Sequence, residues 1–410
     1  MRIVELFSGI GSQKKALVNL NIEHEVLATC EWDMTAIIAY ALMHHKERYN
    51  GEYDHLSKVE LLDTLSKNYN LSLDSKNSVK KTTLNTMSPE ILRVLLYSIK
   101  LANNFTSITN VSAQDLCFEE GIDVMTYSFP CQDLSNMGNF HRENLGIDRD
   151  SGNKSSLLWE VERILFELSN KEIKLPKVLL MENVTAIDSP RHKKNFDAWR
   201  KNLETLGYHN FTYKLNSLDF GSCQNRNRMF MLSIYIGEDY LLKDKLIKYE
   251  ESNSLYQYKV TNNFKLEEVL KVDYSNRTLY KEALASKPNK TPSRDKIFKN
   301  NILLYDGVTY HDGFVPTITT RQDRHPNSGV LVFEDYFRFL TPRELFLLMG
   351  FSESDIDILY SNQMSYRKRS ELFSRDRLFR LAGNSIVVNV LEALFIHIDR
   401  FISIIDNHYK

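Results

Sequence analysis

The sequence predicts an α/β protein built on a Rossmann-like, mostly parallel, doubly wound sheet, with a second, smaller, irregular and β-rich module. Three observations predict it. Over the first 237 residues, short apolar runs of strand character alternate with helical periodicity. The first run, Ile3 to Phe7, breaks at Ser8-Gly-Ile-Gly11 and enters a helix through Leu20, a strand–turn–helix unit. After Gly237 the alternation lapses, and residues 240–337 gain Asn, Ser, Lys and Tyr.

The elements follow in order. His24 to Cys30 reads as a second strand, ending at Glu31. Residues 44–101 form a mainly helical excursion rich in Lys, Asn and Ser. Ser107 to Asp115 and Asp123 to Phe129 read as strands. A helix from Ser156 to Ser169 leads to the apolar run Lys177 to Val184, with Glu182 at the strand's exit. Helical periodicity returns in Leu340–Met349 and Val387–Ile405. Thr341 before Pro342, with Glu344 three residues on, is a helix start. The expected division is 1–237, then 238–337, then a segment 338–410 returning to the first domain.

Composition sets bounds. At 410 residues, 42% hydrophobic and 26% charged, the chain has the make-up of a soluble globular protein. Lys plus Arg number 52 and Asp plus Glu 53, a net charge of −1, so a nucleic-acid partner requires a local basic face. The four cysteines, Cys30, Cys117, Cys131 and Cys223, contain no CxxC pair, which argues against zinc fingers and a disulfide framework. No apolar run approaches 18 residues, and Met1-Arg-Ile-Val-Glu reads as a strand rather than a leader. The expectation is a cytoplasmic protein without a membrane partner.

Four groups of residues are candidates for chemistry. In Phe7-Ser-Gly-Ile-Gly11 the glycines allow a ligand to approach backbone and helix N-terminus, although a tight turn alone explains them equally. Lys14 stands where a dinucleotide fingerprint has its third glycine. Glu31, 20 residues beyond Gly11, is placed to accept from ribose hydroxyls, and Trp32 offers a flat face to an adenine ring. Cys131 follows Phe129-Pro130 at a strand end, where open α/β sheets bind substrates; the plainer reading is a small buried hydrophobe. Glu182 follows the apolar run Val178 to Met181, where burial raises a carboxylic acid's pKa; a salt bridge to a buried arginine is the alternative. Arg226 and Arg228, on one face of a strand in Gln224-Asn-Arg-Asn-Arg228, are the possible partners. Zinc deamination is excluded: its PCxxC motif needs a second cysteine where Leu134 stands.

In sequence order these residues resemble the cytosine-5 DNA methyltransferases, the bacterial restriction–modification type in particular. Glu5-Leu-Phe-Ser-Gly-Ile-Gly11 is similar to the family's cofactor loop, Ser128-Phe-Pro-Cys-Gln-Asp-Leu-Ser135 to its catalytic loop and Glu182-Asn-Val184 to its acid motif. Gln224 to Arg228 matches its QxRxR motif. Arg338-Phe-Leu-Thr-Pro-Arg-Glu344 and Gly383-Asn-Ser-Ile-Val-Val-Asn-Val390 match the two C-terminal motifs. Cys223 stands where the family usually has proline and is expected only to pack.

The resemblance implies the class I fold of S-adenosylmethionine-dependent methyltransferases, with S-adenosylhomocysteine as product and no metal. It implies a cofactor pocket at Phe7, Gly9, Ile10, Gly11, Glu31, Trp32, Asp115, Leu116, Pro130, Leu157, Asn384 and Ser385. It makes Cys131 the nucleophile, Glu182 the acid, Arg228 a donor to the base oxygen and Arg226 a support of the site's wall. Residues 238–337 become a target-recognition domain acting on double-stranded DNA. DNA contacts are expected at Gln132, Ser135, Gln224, Arg321, Gln322 and Arg324. Between 271 and 300, eight basic residues face three acidic ones, which suits phosphates; Arg367-Lys-Arg369 and Arg375 to Arg380 form a second basic run. The expected protein is a monomer in bacterial cytoplasm or at the nucleoid, with a cognate restriction endonuclease acting independently. A tRNA cytosine-5 methyltransferase and a non-catalytic DNA-binding relative are the alternatives.

Overall fold

One row of paired residues runs across four adjacent parallel strands and sets the functional rim. A computed structural model describes residues 1–130, 154–260, 265–311, 313–322, 326–367 and 370–410. Cys131, Gln132, Ser135 and Arg324 lie outside the described residues. The chain begins with Arg2–Leu6 (β1), Ser12–Asn19 (α1), Glu25–Cys30 (β2) and Met34–His44 (α2). Three helices, Lys58–Asn68 (α3), Lys81–Leu84 (α4) and Pro89–Leu101 (α5), form the excursion. Next come Val124–Tyr127 (β3), Leu158–Asn170 (α6), Val178–Val184 (β4), Lys193–Thr205 (α7) and Tyr208–Asn216 (β5). Gln224–Asn225 (β6) and Asn227–Tyr235 (β7) complete this part.

The six-stranded sheet has the order β2-β1-β3-β4-β7-β5. Pairing is parallel from β2 to β4, and β7 runs antiparallel to both neighbours. Cys30, Leu6, Tyr127 and Met181 stand side by side across β2, β1, β3 and β4. One residue further lie Glu31, Phe7, Ser128 and Glu182. The chain winds one way from β1 to β2 and the other way through β3 and β4, so the crevice opens between β1 and β3, where such sheets bind ligands.

The excursion is a buttress. Ile91, Leu92, Leu95 and Ile99 of α5 and Leu61, Leu62 and Leu65 of α3 join Ile37 and Ile38 of α2 in one core cluster. Periodic leucines on amphipathic helices place that face inward. On the opposite face, Val161 and Leu165 of α6 and Trp199 of α7 pack beneath β3 with Met125 and Tyr127. Trp199 Nε1 donates to the Tyr127 hydroxyl at 3.1 Å.

Two expectations are corrected. Ser107 to Asp115 forms two short 3₁₀ turns, not a strand. Asn103 and Thr106 take positive φ just before it, and Asp115 draws in the Ser112 amide at 2.8 Å, so the chain coils. Among the described residues, one isolated bridge, Thr29 to Asn104, pairs with the outer edge of β2 there.

Residues 240–337 are mixed rather than β-rich. They contain helices Tyr240–Ser252 (α8), Leu266–Val269 (α9), Arg277–Ala285 (α10) and Pro292–Lys299 (α11). The strands that follow them, Leu303–Tyr305 (β8), Val315–Pro316 (β9), Val330–Phe333 (β10) and Tyr336–Arg338 (β11), are short. Side-chain caps start α8, α10 and α11: Asp239, Asn276 and Thr291 each accept from a first-turn amide, and Pro292 occupies the first turn of α11.

The C-terminal part comprises Pro342–Leu348 (α12), Glu353–Ser361 (α13), Ser365–Arg367 (β12), Ser370–Glu371 (β13), Arg375–Asn384 (α14) and Val388–His408 (α15). Thr341 and Glu344 form the expected capping box. The stretch Arg375–His408 is long and apolar enough to cross a membrane, but most of it is buried, with Leu394, Ile398 and Phe401 in the core. Helix α15 also holds α8, through His397 to Glu250 at 2.6 Å and His408 to Asp239 at 2.7 Å.

Candidate active site

At the exit of β1 the backbone turns sharply. Phe7, Gly9 and Gly11 all have positive φ, 59°, 55° and 76°. A side chain on Gly11 would collide with His44 and Tyr40, with the nearest atom only 2.4 Å away. A Cβ on Gly9 meets nothing within 4 Å, so open space adjoins the loop there. The Gly9 amide donates to Glu31 Oε2 at 3.0 Å, and the other carboxylate oxygen accepts from Trp32 at 2.8 Å and Asp33 at 2.7 Å. Burial, then the Asp33 charge, push the Glu31 carboxyl up to about 7 despite these donors.

The other expected cofactor residues are unequal. Asp115 is exposed, and its carboxylate holds the Ser112 amide and hydroxyl. Ile10 and Leu116 have side chains buried in the two core clusters, leaving backbone to offer a ligand. Leu157 and Pro130 are half-buried. Asn384 is exposed, whereas Ser385 is buried and gives its hydroxyl to Leu381 O at 2.8 Å.

Two strands away, Glu182 ends the apolar run of β4 with 12% of its side chain exposed. Arg228 Nε lies 3.1 Å from Glu182 Oε1. The pairing places Arg228 opposite Val184 on β7, a diagonal neighbour on the same face. Burial raises the Glu182 carboxyl, while Arg228 and then Arg226 pull it down. Both readings of Glu182 therefore hold together: a buried acid with a raised pKa and a partner of arginine.

Asn183, which sequence reasoning passed over, is the link to the neighbouring strand end. It is buried, and its Nδ2 donates to Phe129 O at 3.1 Å. The signal was there: an amide inside an apolar strand needs a buried acceptor. The Phe129-Pro130 exit that leads to Cys131 is thus tied to the acid's strand.

The QxRxR residues divide by depth. Gln224 is corrected as a DNA contact: it is fully buried, accepts from Ile318 N at 3.0 Å and donates to Leu348 O at 3.4 Å. Arg226 is buried too and donates to Ile318 O, Gly383 O and Ser385 O, each at 3.1 Å. It fastens the last turn of α14 and the strand exit beyond β9 to the sheet. Only Arg228 reaches the rim. Cys223 sits in the core, as its position suggested.

Of the remaining expected DNA contacts, Arg321 is exposed and Gln322 is buried, its two amide atoms without a partner among the described residues. In the basic stretch, Lys271, Lys287 and Lys299 are paired with Glu353, Glu334 and Asp335, and Asp295. Arg277, Lys281, Lys290 and Lys296 remain exposed, on α10, α11 and the loop between them. Of the second basic run, the side chains of residues 367–369 lie outside the described residues, while Arg375 donates to Ala285 O, Arg377 to Glu371 O, and Arg380 to Leu73 O.

With this geometry in place, the family of C-5 cytosine-specific DNA methylases matches residues 67–400. The chain belongs to this family. It is a DNA cytosine-5 methyltransferase by family, and DNA is its substrate. The orphan methyltransferase M.SssI of Spiroplasma monobiae is 33% identical over 413 residues, covering 96% of each chain. The type II methyltransferase M2.ScrFI of Lactococcus lactis subsp. cremoris is 33% identical over 400 residues, covering 96% of this chain and 98% of its own. Each of these two alignments spans 96% of the chain. Two solved structures share the fold. The Dnmt2 methyltransferase of S. pombe, 17% identical, covers 98% of this chain and 99% of its own, with a TM-score of 0.56. The Entamoeba histolytica methyltransferase EhMeth, 15% identical, covers 98% of each with a TM-score of 0.58.

Proposed function

We propose that this methyltransferase transfers a methyl group from S-adenosylmethionine to carbon 5 of a flipped-out cytosine, with Cys131 as covalent nucleophile and Glu182 as acid. The observation that carries the reading is the shared rim: a raised, arginine-paired carboxyl at Glu182, tied through Asn183 to the Phe129-Pro130 exit that precedes Cys131.

The rim fits an adenosyl cofactor: Glu31 faces the glycine loop, Trp32 adjoins it, and open space lies beside Gly9. When bound, the cofactor supplies an electrophilic methyl group. Cytosine carbon 5 is a poor nucleophile, so the thiolate of Cys131 first adds to carbon 6 while Glu182 protonates nitrogen 3. Arg228 has Nε on Glu182 and Nη1 on Asn227 O, leaving Nη2 to donate to the base oxygen. Carbon 5 then takes the methyl group, a base removes its hydrogen, and the thiolate leaves. The base must leave the duplex for this, at a cost of a few kcal/mol.

The same reading assigns residues 238–337 to target recognition, with Arg277, Lys281, Lys290 and Lys296 against phosphates. It takes the enzyme as a monomer of the bacterial cytoplasm or nucleoid, and as the modification arm of a restriction–modification pair. The endonuclease is where the two relatives part, one named type II and the other orphan. Labelled-methyl transfer tests the reading: duplex DNA is labelled and tRNA is not, and label in tRNA alone would overturn it.

A further inference from the structure

The excursion and the C-terminal helix α14 meet at one residue, Asp33, two positions beyond Glu31. Asp33 caps α2: its Oδ1 accepts from Thr35 N at 2.9 Å and Ala36 N at 3.3 Å. Its Oδ2 takes the Ser75 hydroxyl at 2.6 Å and Arg380 Nη2 at 2.9 Å. The pair is shielded, with side-chain exposures of 3% for Asp33 and 19% for Arg380. The same Nη2 donates to Leu73 O at 2.9 Å. The excursion strengthens this from its side. Ser72 N donates to Trp32 O at 2.7 Å, and Met34 N donates to Ser72 O at 2.9 Å. Trp32 and Asp33 are thus held between a loop of the excursion and an arginine that stands three residues before Gly383-Asn-Ser385.

We infer that Arg380 is a positioning residue for the cofactor: through Asp33 and Leu73 it fixes the Glu31–Trp32 edge relative to the Asn384–Ser385 turn. The inference rests on the proposed placement of the cofactor at these two edges. It also gives the excursion a role, since residues 72–75 form the middle layer of the brace. A ligand that spans both edges binds more tightly when they are held in register beforehand, because less ordering remains to be done on binding. Without Arg380, Asp33 keeps three hydrogen bonds, so α2 remains capped and the fold stands.

The test measures S-adenosylhomocysteine binding by calorimetry and steady-state kinetics on the full chain carrying Arg380→Ala, Arg380→Lys, Ser75→Ala or Glu31→Ala. Arg380→Ala is expected to weaken binding and raise the cofactor KM about tenfold, with kcat and the DNA KM within about twofold. One nitrogen makes both contacts, so Arg380→Lys should recover affinity to within about threefold. Ser75→Ala should lose roughly two- to threefold. Unchanged affinity in Arg380→Ala, or an equal loss in kcat and DNA KM, overturns the inference. Should Arg380→Ala fail to fold, unchanged affinity in Ser75→Ala overturns it instead. Unchanged affinity in Glu31→Ala would refute the cofactor placement itself; loss there without loss in Arg380→Ala refutes the brace alone.

Discussion

Glu31 and Glu182 occupy equivalent places, each one residue past the aligned row at the end of a parallel strand, yet they are held by different means. Glu31 is fixed by three backbone amides, from Gly9, Trp32 and Asp33. Glu182 is fixed by one guanidinium. Backbone amides cannot move without bending the loop that carries them, so the Glu31 edge is a preformed shelf. A guanidinium on a long side chain can share its donors with an incoming base, so the Glu182 edge can exchange partners during a reaction. Burial raises both carboxyls; what distinguishes a binding edge from a reacting edge here is the partner.

The largest expected effect breaks the reacting edge. Glu182→Gln keeps the shape and removes the proton, and kcat should fall about 10²- to 10³-fold while DNA affinity changes little. Single-turnover methylation alongside DNA titration checks this; equal losses in both would make Glu182 a structural residue. Arg228→Ala belongs with it. The carboxyl loses its counter-charge, and the same assay should report a loss of similar size.

Glu5 sharpens the comparison because it has neither arrangement. It is fully buried beneath the glycine loop, with one backbone donor, Lys14 N at 3.0 Å. Burial, only partly offset by Tyr40 and Lys14, lifts it from 4.5 to about 7. The folded chain therefore holds this proton more tightly than the unfolded chain. Stability falls as pH rises from 4.5 through 7, by roughly 3 kcal/mol once complete. Glu5→Gln should raise the melting temperature at pH 8 and leave it unchanged at pH 4. Melting curves at both values check this; an equal shift at both would mean Glu5 is already ionised.

The binding edge should respond less. Glu31→Gln turns one acceptor into a donor facing an amide, which costs about 1–3 kcal/mol. Cofactor affinity should drop while the methyl-transfer rate at saturating cofactor stays near that of the unmodified enzyme, as equilibrium binding and single-turnover rates would show. The smallest effect lies at the DNA face. Lys281→Ala and Lys296→Ala should each lower the salt slope of DNA binding by about 1, without altering the preferred sequence. No change in slope would move the phosphate track elsewhere.

The comparison also explains what the sequence made legible. Strands of the rim are short apolar runs ended by Gly, Pro or a carboxylate, a local signal, so β1 to β4 and the residues at their ends were readable. The partners of those residues were not. Arg228, 46 positions on, could be named as a partner of Glu182 only together with Arg226, because strand alternation puts both on one face. Nothing announces Arg380 beside Asp33. Gln224 was misread because a polar residue near arginines suggests a surface, whereas its amide instead satisfies Ile318 and Leu348 inside the core. In 240–337 the helix signals were local and still passed over: Thr291-Pro292 repeats the start recognised at Thr341-Pro342.

The central claim is that Cys131 attacks the flipped base. Duplex DNA with 5-fluorocytosine at the target blocks the final hydrogen removal, so the adduct should accumulate. Denaturing electrophoresis and peptide mass spectrometry should find DNA covalently attached at Cys131 in the unmodified enzyme in the presence of S-adenosylmethionine, and none in Cys131→Ser. A Cys131→Ser protein that still forms the adduct or still methylates DNA would contradict the account.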